Sequence, residues 1–215
     1  MILGLEREKT CVIIIYKMFK RICKITFIAH GATVYSMDGI VNDTLKYPKL
    51  NEFGEEEIEK VCEYLEKRGV AYDKIYTSPN ACCTQSAQII AKLFKQKAIT
   101  TDLTQRNHGT WHGSFYADLF KENGPAVLTQ TPEKGESLSD FNKRVSKSID
   151  KLIKENKGTR IIVVTTPEVI QSAIAKALNI NPENQHKTLI KTGSLTQISY
   201  FDGWSSLIYS GYVPL

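Results

Sequence analysis

The chain has no apolar run long enough to cross a bilayer, which takes about 20 residues. Its early apolar stretch, Cys11 to Tyr16, is far too short. The basic residues follow that stretch rather than precede it, and no small-residue cleavage site is evident, so it does not read as a signal peptide. Disulfide and zinc spacing are missing too. The five cysteines (Cys11, Cys23, Cys62, Cys82, Cys83) are odd in number and contain no CxxC. That excludes a disulfide framework or structural zinc site as the organising principle and points to a reducing, cytoplasmic setting. There is no low-complexity tract, no repeat of solenoid period and no linker dividing the chain.

What is present is the composition of one globular domain: 215 residues, 42% hydrophobic and 24% charged. The net charge of +5 is unevenly placed. Arg7, Lys9, Lys17, Lys20, Arg21 and Lys24, set against Glu6 and Glu8, supply most of the excess before the first confident strand. We read residues 1–21 as a basic N-terminal extension and 22–215 as the domain. Met18, directly before a strand-like start, also admits a shorter chain beginning there. A basic cluster is a means of touching nucleic acid or an anionic membrane, but such clusters are commonly solvated tails, and that is the expectation here.

Short apolar runs alternate with helical patterns, the signature of an α/β layered fold. Lys24–Ile28 predicts a buried strand ending at His30-Gly31. Residues 52–68 place Ile58, Val61, Cys62 and Leu65 on one helix face, with Asn51 as N-cap and Gly69 as stop. Asp73–Thr77 predicts a second strand, and Ser78-Pro79-Asn80 opens a helix whose inner face is Cys83, Ala87, Ile90, Ala91 and Phe94. Residues 99–103 predict a third strand, and 104–134 an excursion without sustained period. Ser137 and Asp140 form a capping-box pattern before Leu138, Phe141, Val145, Ile149 and Leu152. Arg160–Thr165 is the clearest buried strand. The following helix buries Val169, Ile170, Ala173, Ile174 and Ala177, and 194–200 with 204–209 predict a terminal hairpin.

In open α/β sheets the site gathers at the carboxyl ends of strands. There the sequence Phe27-Ile28-Ala29-His30-Gly31-Ala32-Thr33 resembles the Arg-His-Gly-Glu-Thr signature of the histidine phosphatase (phosphoglycerate mutase-like) superfamily. Thr77 to Ala87 is similar to that family's Ser-(Ser/Pro)-x-x-Arg-Ala-x-Gln-Thr-Ala helix start, and Leu103 to Gly113 to its Leu-x-Glu-x-x-x-Gly-x-Trp-x-Gly segment. Gly135-Glu136-Ser137 matches its Gly-Glu-Ser, and Ile162–Gln171 aligns with its Val-Val-Ser-His-Gly. The resemblance covers residue 22 to the C-terminus. It implies a three-layer α/β/α sandwich with a mostly parallel central sheet.

The resemblance also implies a mechanism, in which a histidine attacks phosphorus, two arginines and a second histidine hold its oxygens, and a glutamate protonates the leaving group. Carried over, His30 matches the nucleophile. The arginines fall on Ala29 and Cys82, the second histidine on Thr166, the acid on Gln105, and a phosphate-binding asparagine on Ser36. Gly31, Thr33, Ser36, Arg106, Glu136 and Ser137 are the candidate ligand-binding residues. Ser137 reads equally as a helix cap, and His30-Gly31 equally as a packed turn. Losing one charge-stabilising donor costs about 2.7–4 kcal/mol of barrier. The first expectation is therefore a pseudophosphatase that binds a phosphate or other anionic small molecule, or a protein partner, with a homodimer as a further option. The alternative is an active phosphomonoesterase on His30, with Arg106 or Arg144 supplying charge and His108 or His112 replacing the acid. No cofactor, membrane or nucleic acid is expected. A soft-metal site at His30, Cys82 and His108 has no paired-ligand motif behind it.

Overall fold

A computed structural model describes residues 20–42 and 48–215. The extension lies outside the described residues apart from Lys20 and Arg21, and Arg21 already opens the first strand. Strands β1 (Arg21–Ala29), β2 (Lys74–Thr77), β3 (Ala98–Thr100), β4 (Arg160–Thr165), β5 (Leu195–Phe201) and β6 (Ser205–Tyr212) form one sheet in the order β3-β2-β4-β1-β5-β6. The first four in that order run parallel, and β5 and β6 are antiparallel additions at one edge. The helices are α1 (Val34–Asp38), α2 (Glu52–Arg68), α3 (Ala81–Leu93), α4 (Tyr116–Asn123), α5 (Leu138–Glu155) and α6 (Pro167–Leu178).

The central strands are buried on both faces, which is why they read as nearly unbroken apolar runs. Cys23, Ile25, Phe27 and Ala29 of β1 pack with Phe141, Val145 and Ile149 of α5 and with Ile170 and Ile174 of α6. On the opposite face Ile28 meets Ile58 and Leu65 of α2 and Cys83, Ala87 and Ile90 of α3. β4 divides in the same way, Ile161 and Val163 to one core and Ile162 and Val164 to the other. Two helices on each face of a mostly parallel sheet give the three-layer α/β/α sandwich expected from the sequence.

Helix ends follow the local chemistry. Asn51 caps α2, its Oδ1 accepting from the Gly54 N–H at 2.8 Å, and Gly69 ends the helix in the left-handed region at φ 58°. Ser137 caps α5, accepting from the Asp140 N–H at 3.0 Å and donating to the Asp140 carboxylate at 2.7 Å. Differences from expectation lie where side-chain burial is sparse. Cys62 and Phe94 are only half-buried. The third strand is short, ending at Thr100. The excursion at 104–134 contains α4 and two single turns of 3₁₀ helix at Gly109–Trp111 and Gly124–Leu128. α4 buries Leu119 alone, too little apolar face to announce a period, and with Val41 and Val127 it forms a small satellite core. α1 buries nothing and gave no signal either.

The segment after β1 is pinned backbone to backbone. A Cβ on Gly31 would lie 2.1 Å from the Gly54 carbonyl oxygen, and one on Gly54 would lie 2.1 Å from that of Ala32. Only two glycines let the strand-end loop dock on the first turn of α2. The Ala32 N–H donates to the Glu57 carboxylate at 2.8 Å, completing the clamp.

Candidate active site

His30 sits at the carboxyl end of β1, fixed through its own backbone. Its N–H donates to the Thr165 carbonyl at 3.0 Å, and its carbonyl accepts from the Gly193 N–H at 3.1 Å. The side chain is 7% exposed. Nδ1 lies 2.7 Å from the Gly31 carbonyl. A carbonyl only accepts, so Nδ1 carries the proton, and in the neutral ring the lone pair is on Nε2. The nitrogen left for chemistry is thereby defined by the fold.

Around it stand the positions where the family resemblance places its charged groups. Ala29 is buried in the α5/α6 core and offers only a methyl. Cys82, 1% exposed, occupies the first turn of α3. It is tied to the His30 loop by Ser86, whose Oγ accepts from the Gly31 N–H at 3.1 Å and donates to the Cys82 carbonyl at 2.8 Å. The Cys82 thiol interacts with the His30 ring by charge and by hydrogen bonding. A hydrogen bond from the Cys83 thiol is the largest influence on it. Burial acts the other way, and the His30 charge adds to the lowering, so the thiol falls to about 5. For His30 burial is the largest influence and pushes its pKa down, but Cys82, the Gly31 carbonyl and Glu57 outweigh it and the net shift is upward.

Two polar groups at the neighbouring strand ends have no partner among the described residues. Thr166, on the residue after β4, is 2% exposed and its hydroxyl makes no hydrogen bond. Asn80, at the start of α3 after β2, is fully buried with both amide atoms unpaired. Their neighbours are satisfied: the Ser78 hydroxyl pairs with Thr165 at 2.7 Å and with the Leu103 carbonyl. An unpaired buried polar group costs about 1–3 kcal/mol unless something outside the chain satisfies it. Asn80 was not singled out in the sequence, where it reads as an ordinary helix opener.

The other candidate residues serve other contacts. Thr33 caps α1, accepting from the Ser36 N–H at 3.1 Å, while the Ser36 hydroxyl accepts from the Thr33 N–H at 2.8 Å. The Gln105 amide donates to the Asn42 carbonyl at 3.4 Å. Arg106 is 2% exposed, its Nε on the Glu136 carbonyl and an Nη on that of Gln130. Arg144 holds Glu136 through two nitrogens, at 2.6 and 2.8 Å, and also binds the carbonyls of Thr104 and Gln105. Arg106, Arg144 and Glu136 therefore form a structural clamp on the excursion, and Ser137 caps the helix beside it. The substitute charge expected from Arg106 or Arg144 is bound up in those carbonyls.

His108 is buried, with Nε2 3.2 Å from the Glu168 carboxylate. Sequence reasoning did not single out Glu168, since an acid in the first turn of a helix is an ordinary partner of the helix dipole. For Glu168, burial is the largest influence and raises its pKa, but His108 and Arg106 outweigh it and the carboxyl is held below its ordinary value. His112 lies against the Tyr35 ring at 6.3 Å between centroids. Among the described residues no three His, Cys, Asp or Glu side chains form a cluster able to hold a metal, so His30, Cys82 and His108 are not brought together as one. A groove of about 1370 Å³ between α5 and α6, including Asn142, Lys143, Ser172 and Lys176, does not include His30.

Residues 25–209 match the sequence profile of the histidine phosphatase superfamily (branch 1). The chain belongs to that superfamily. It is 24% identical over 185 residues to a broad-specificity phosphatase of Saccharomyces cerevisiae, covering 83% of this chain and 80% of the relative. It is 28% identical over 190 residues to phosphoglycerate mutase-like protein 4 of Arabidopsis thaliana, covering 84% and 80%. A metal-independent phosphoserine phosphatase of the same plant is 26% identical over 168 residues, covering 73% and 69%. Among solved structures, phosphoserine phosphatase of Entamoeba histolytica in complex with 3-phosphoglyceric acid superposes with a TM-score of 0.77 at 21% identity, over 89% of this chain and 98% of that one. These relatives correct the first expectation. The pseudophosphatase reading, drawn from the four lost groups, is contradicted by similarity to proteins named as phosphatases, and the alternative of an active phosphomonoesterase fits them better.

Proposed function

We propose that this protein is a phosphoric monoester hydrolase in which His30 accepts the phosphoryl group. The observation that supports the reading is the Gly31 carbonyl 2.7 Å from Nδ1, which leaves the lone pair of the neutral ring on Nε2. Nε2 attacks phosphorus, the P–O bond to the leaving alcohol breaks, and water then cleaves the phosphohistidine and restores the ring. Phosphoryl transfer is governed by positioning and by stabilisation of the equatorial oxygens. Here the Thr166 hydroxyl and Asn80 amide are the neutral groups offered to those oxygens in place of arginines.

Attack requires the neutral imidazole, so the reaction draws on the protein in which the His30 proton has left Nε2. Gln105, at the acid position, has no proton to give, so the favoured substrates are esters whose alcohol leaves as a stable anion, such as aryl phosphates, over alkyl phosphates. We place this activity in a reducing, cytoplasmic setting, a reading supported by the four free thiols at Cys23, Cys62, Cys82 and Cys83.

The test is hydrolysis of an aryl phosphate by wild type and His30→Ala. Turnover that drops at least about a thousandfold on substitution supports the assignment. Equal rates for the two proteins would refute it.

A further inference from the structure

The short helix α1 leaves its apolar side in solvent. Val34 and Met37, one turn apart on the same face, are 55% and 60% exposed, and α1 buries none of its five residues. A helix this short is not held by propensity, and without core contacts it must be fixed in another way. Thr33 and Ser36 form a reciprocal capping box at its start, and Gly39 ends it in the left-handed region at φ 67°, donating to the Tyr35 carbonyl. Tyr35 faces the excursion through the His112 ring, the Gly39 carbonyl accepts from the Tyr116 N–H at 2.8 Å, and Ile40 bridges to Phe115. On the other flank the Asn51 amide donates to the Met37 sulfur at 2.9 Å. The apolar pair therefore stands on a shelf tied to both α2 and the excursion.

The shelf belongs to the strand end that carries His30. Val34 follows His30 by four residues, at most about 14 Å of chain. The loop between them is pinned to α2 by the close approach of Gly31 and Gly54. Phe53, two residues beyond Asn51, and Phe115, the partner of Ile40, are themselves 52% and 48% exposed. A single exposed apolar residue needs no explanation, but four on the segments that rim one strand end form a surface that gains from being covered. Charge narrows what can cover it. α1 carries no cation, and its one charged residue is the exposed Asp38. Such a surface has nothing to offer a carboxylate and favours hydrocarbon.

We propose that α1 is the specificity shelf for the alcohol part of the phosphate ester: with phosphorus at His30, an uncharged apolar chain or ring lies across Val34 and Met37. The inference rests on the phosphatase reading and adds a substrate class to it, monoesters of apolar alcohols rather than of hydroxy acids or amino acids. The preference is one of binding, separate from how readily the alcohol leaves.

Straight-chain alkylphosphonates keep a phosphate-like head, cannot be hydrolysed and differ only in length, so they report on the shelf without turnover. Their affinities for the wild-type protein are measured by calorimetry, from methylphosphonate to hexylphosphonate. Hydrocarbon half-covered on an open shelf should tighten Kd about twofold per methylene, roughly thirtyfold across the series. A ligand of like length ending in a carboxylate, 6-phosphonohexanoate, should lose most of that gain. The double variant Val34→Thr/Met37→Gln removes apolar surface from a helix that buries nothing, so the fold is spared, and it should flatten the series. A flat series in wild type, a slope that survives the double variant, or a carboxylate ligand that binds as tightly as hexylphosphonate would overturn the proposal and leave the His30 assignment standing. Absence of binding throughout, methylphosphonate included, would instead contradict the phosphate site itself, and the shelf would fall with it.

Discussion

The carboxyl end of the parallel sheet and the excursion that covers it handle charge in opposite ways. At the clamp on residues 104–144, two arginines and a glutamate are closely bonded, Arg144 alone reaching a carboxylate and two carbonyls. Around His30, with two strands of sequence between it and that clamp, stand the Cys82 thiol and two polar groups that have no partner among the described residues. Arg106 and Arg144 hold the excursion to its own carbonyls and to Glu136, and neither is spent at His30. The difference teaches that counting arginines in a sequence says little about where their charge is spent. It also teaches that a pocket stripped of cations keeps a chemical signature in its unsatisfied atoms.

The comparison breaks most visibly at Arg144. Arg144→Ala leaves Glu136 half-paired and frees the Thr104 and Gln105 carbonyls, so stability should fall by about 3 kcal/mol, read by urea denaturation. If the loss is negligible, the clamp is not structural. At the pocket the reverse is expected. Thr166→Val replaces a buried hydroxyl with no partner by a methyl of the same shape, so stability should hold or rise. Affinity for inorganic phosphate should drop about tenfold, measured by calorimetry. A variant that unfolds more easily and binds phosphate unchanged would reverse the assignment of roles.

Smaller effects sharpen the picture through pH. His30 must be neutral to attack, and its pKa is raised, so the acid limb of kcat/KM should lie above its ordinary value of 6.5. Cys82→Ser removes the leading influence that raises it and should move the limb down. A limb that stays in place would disconnect the two residues. The smallest effect concerns Glu168, whose lowered pKa contributes stability that is present above its unfolded value near 4.5 and lost as pH falls through the folded one. Thermal midpoints of Glu168→Gln should therefore fall less steeply than those of wild type on the acid side of pH 4.5. Parallel curves would show that the His108 pair does not matter to stability.

The layers were legible in the sequence because they rest on periodicity. Ile58, Val61 and Leu65, or Leu138, Phe141 and Val145, share a face on a helix and not on a strand, because their spacing of three and seven is odd. α1 and α4 were not, because elements that bury one residue or none carry no period. The pocket divides along the same line. The position of His30 and the loss of charge at Ala29, Cys82, Gln105 and Thr166 could be read from motif order. The orphaned Asn80 amide and the engagement of Arg106 by backbone carbonyls could not, since whether a polar atom is satisfied depends on neighbours distant in the chain. For the same reason missing arginines do not by themselves mean missing activity: the groups that stand in their place matter as much.

The measurement that bears most directly on the whole account is rapid-quench trapping of the phosphoenzyme. Wild-type protein is mixed with an aryl phosphate, stopped in alkali to preserve phosphohistidine, and mapped by peptide mass. The account predicts a transient phosphoryl group on His30 that forms and decays at rates matching turnover. A phosphoryl group found on another residue, or turnover with no phosphoenzyme at His30, would contradict it.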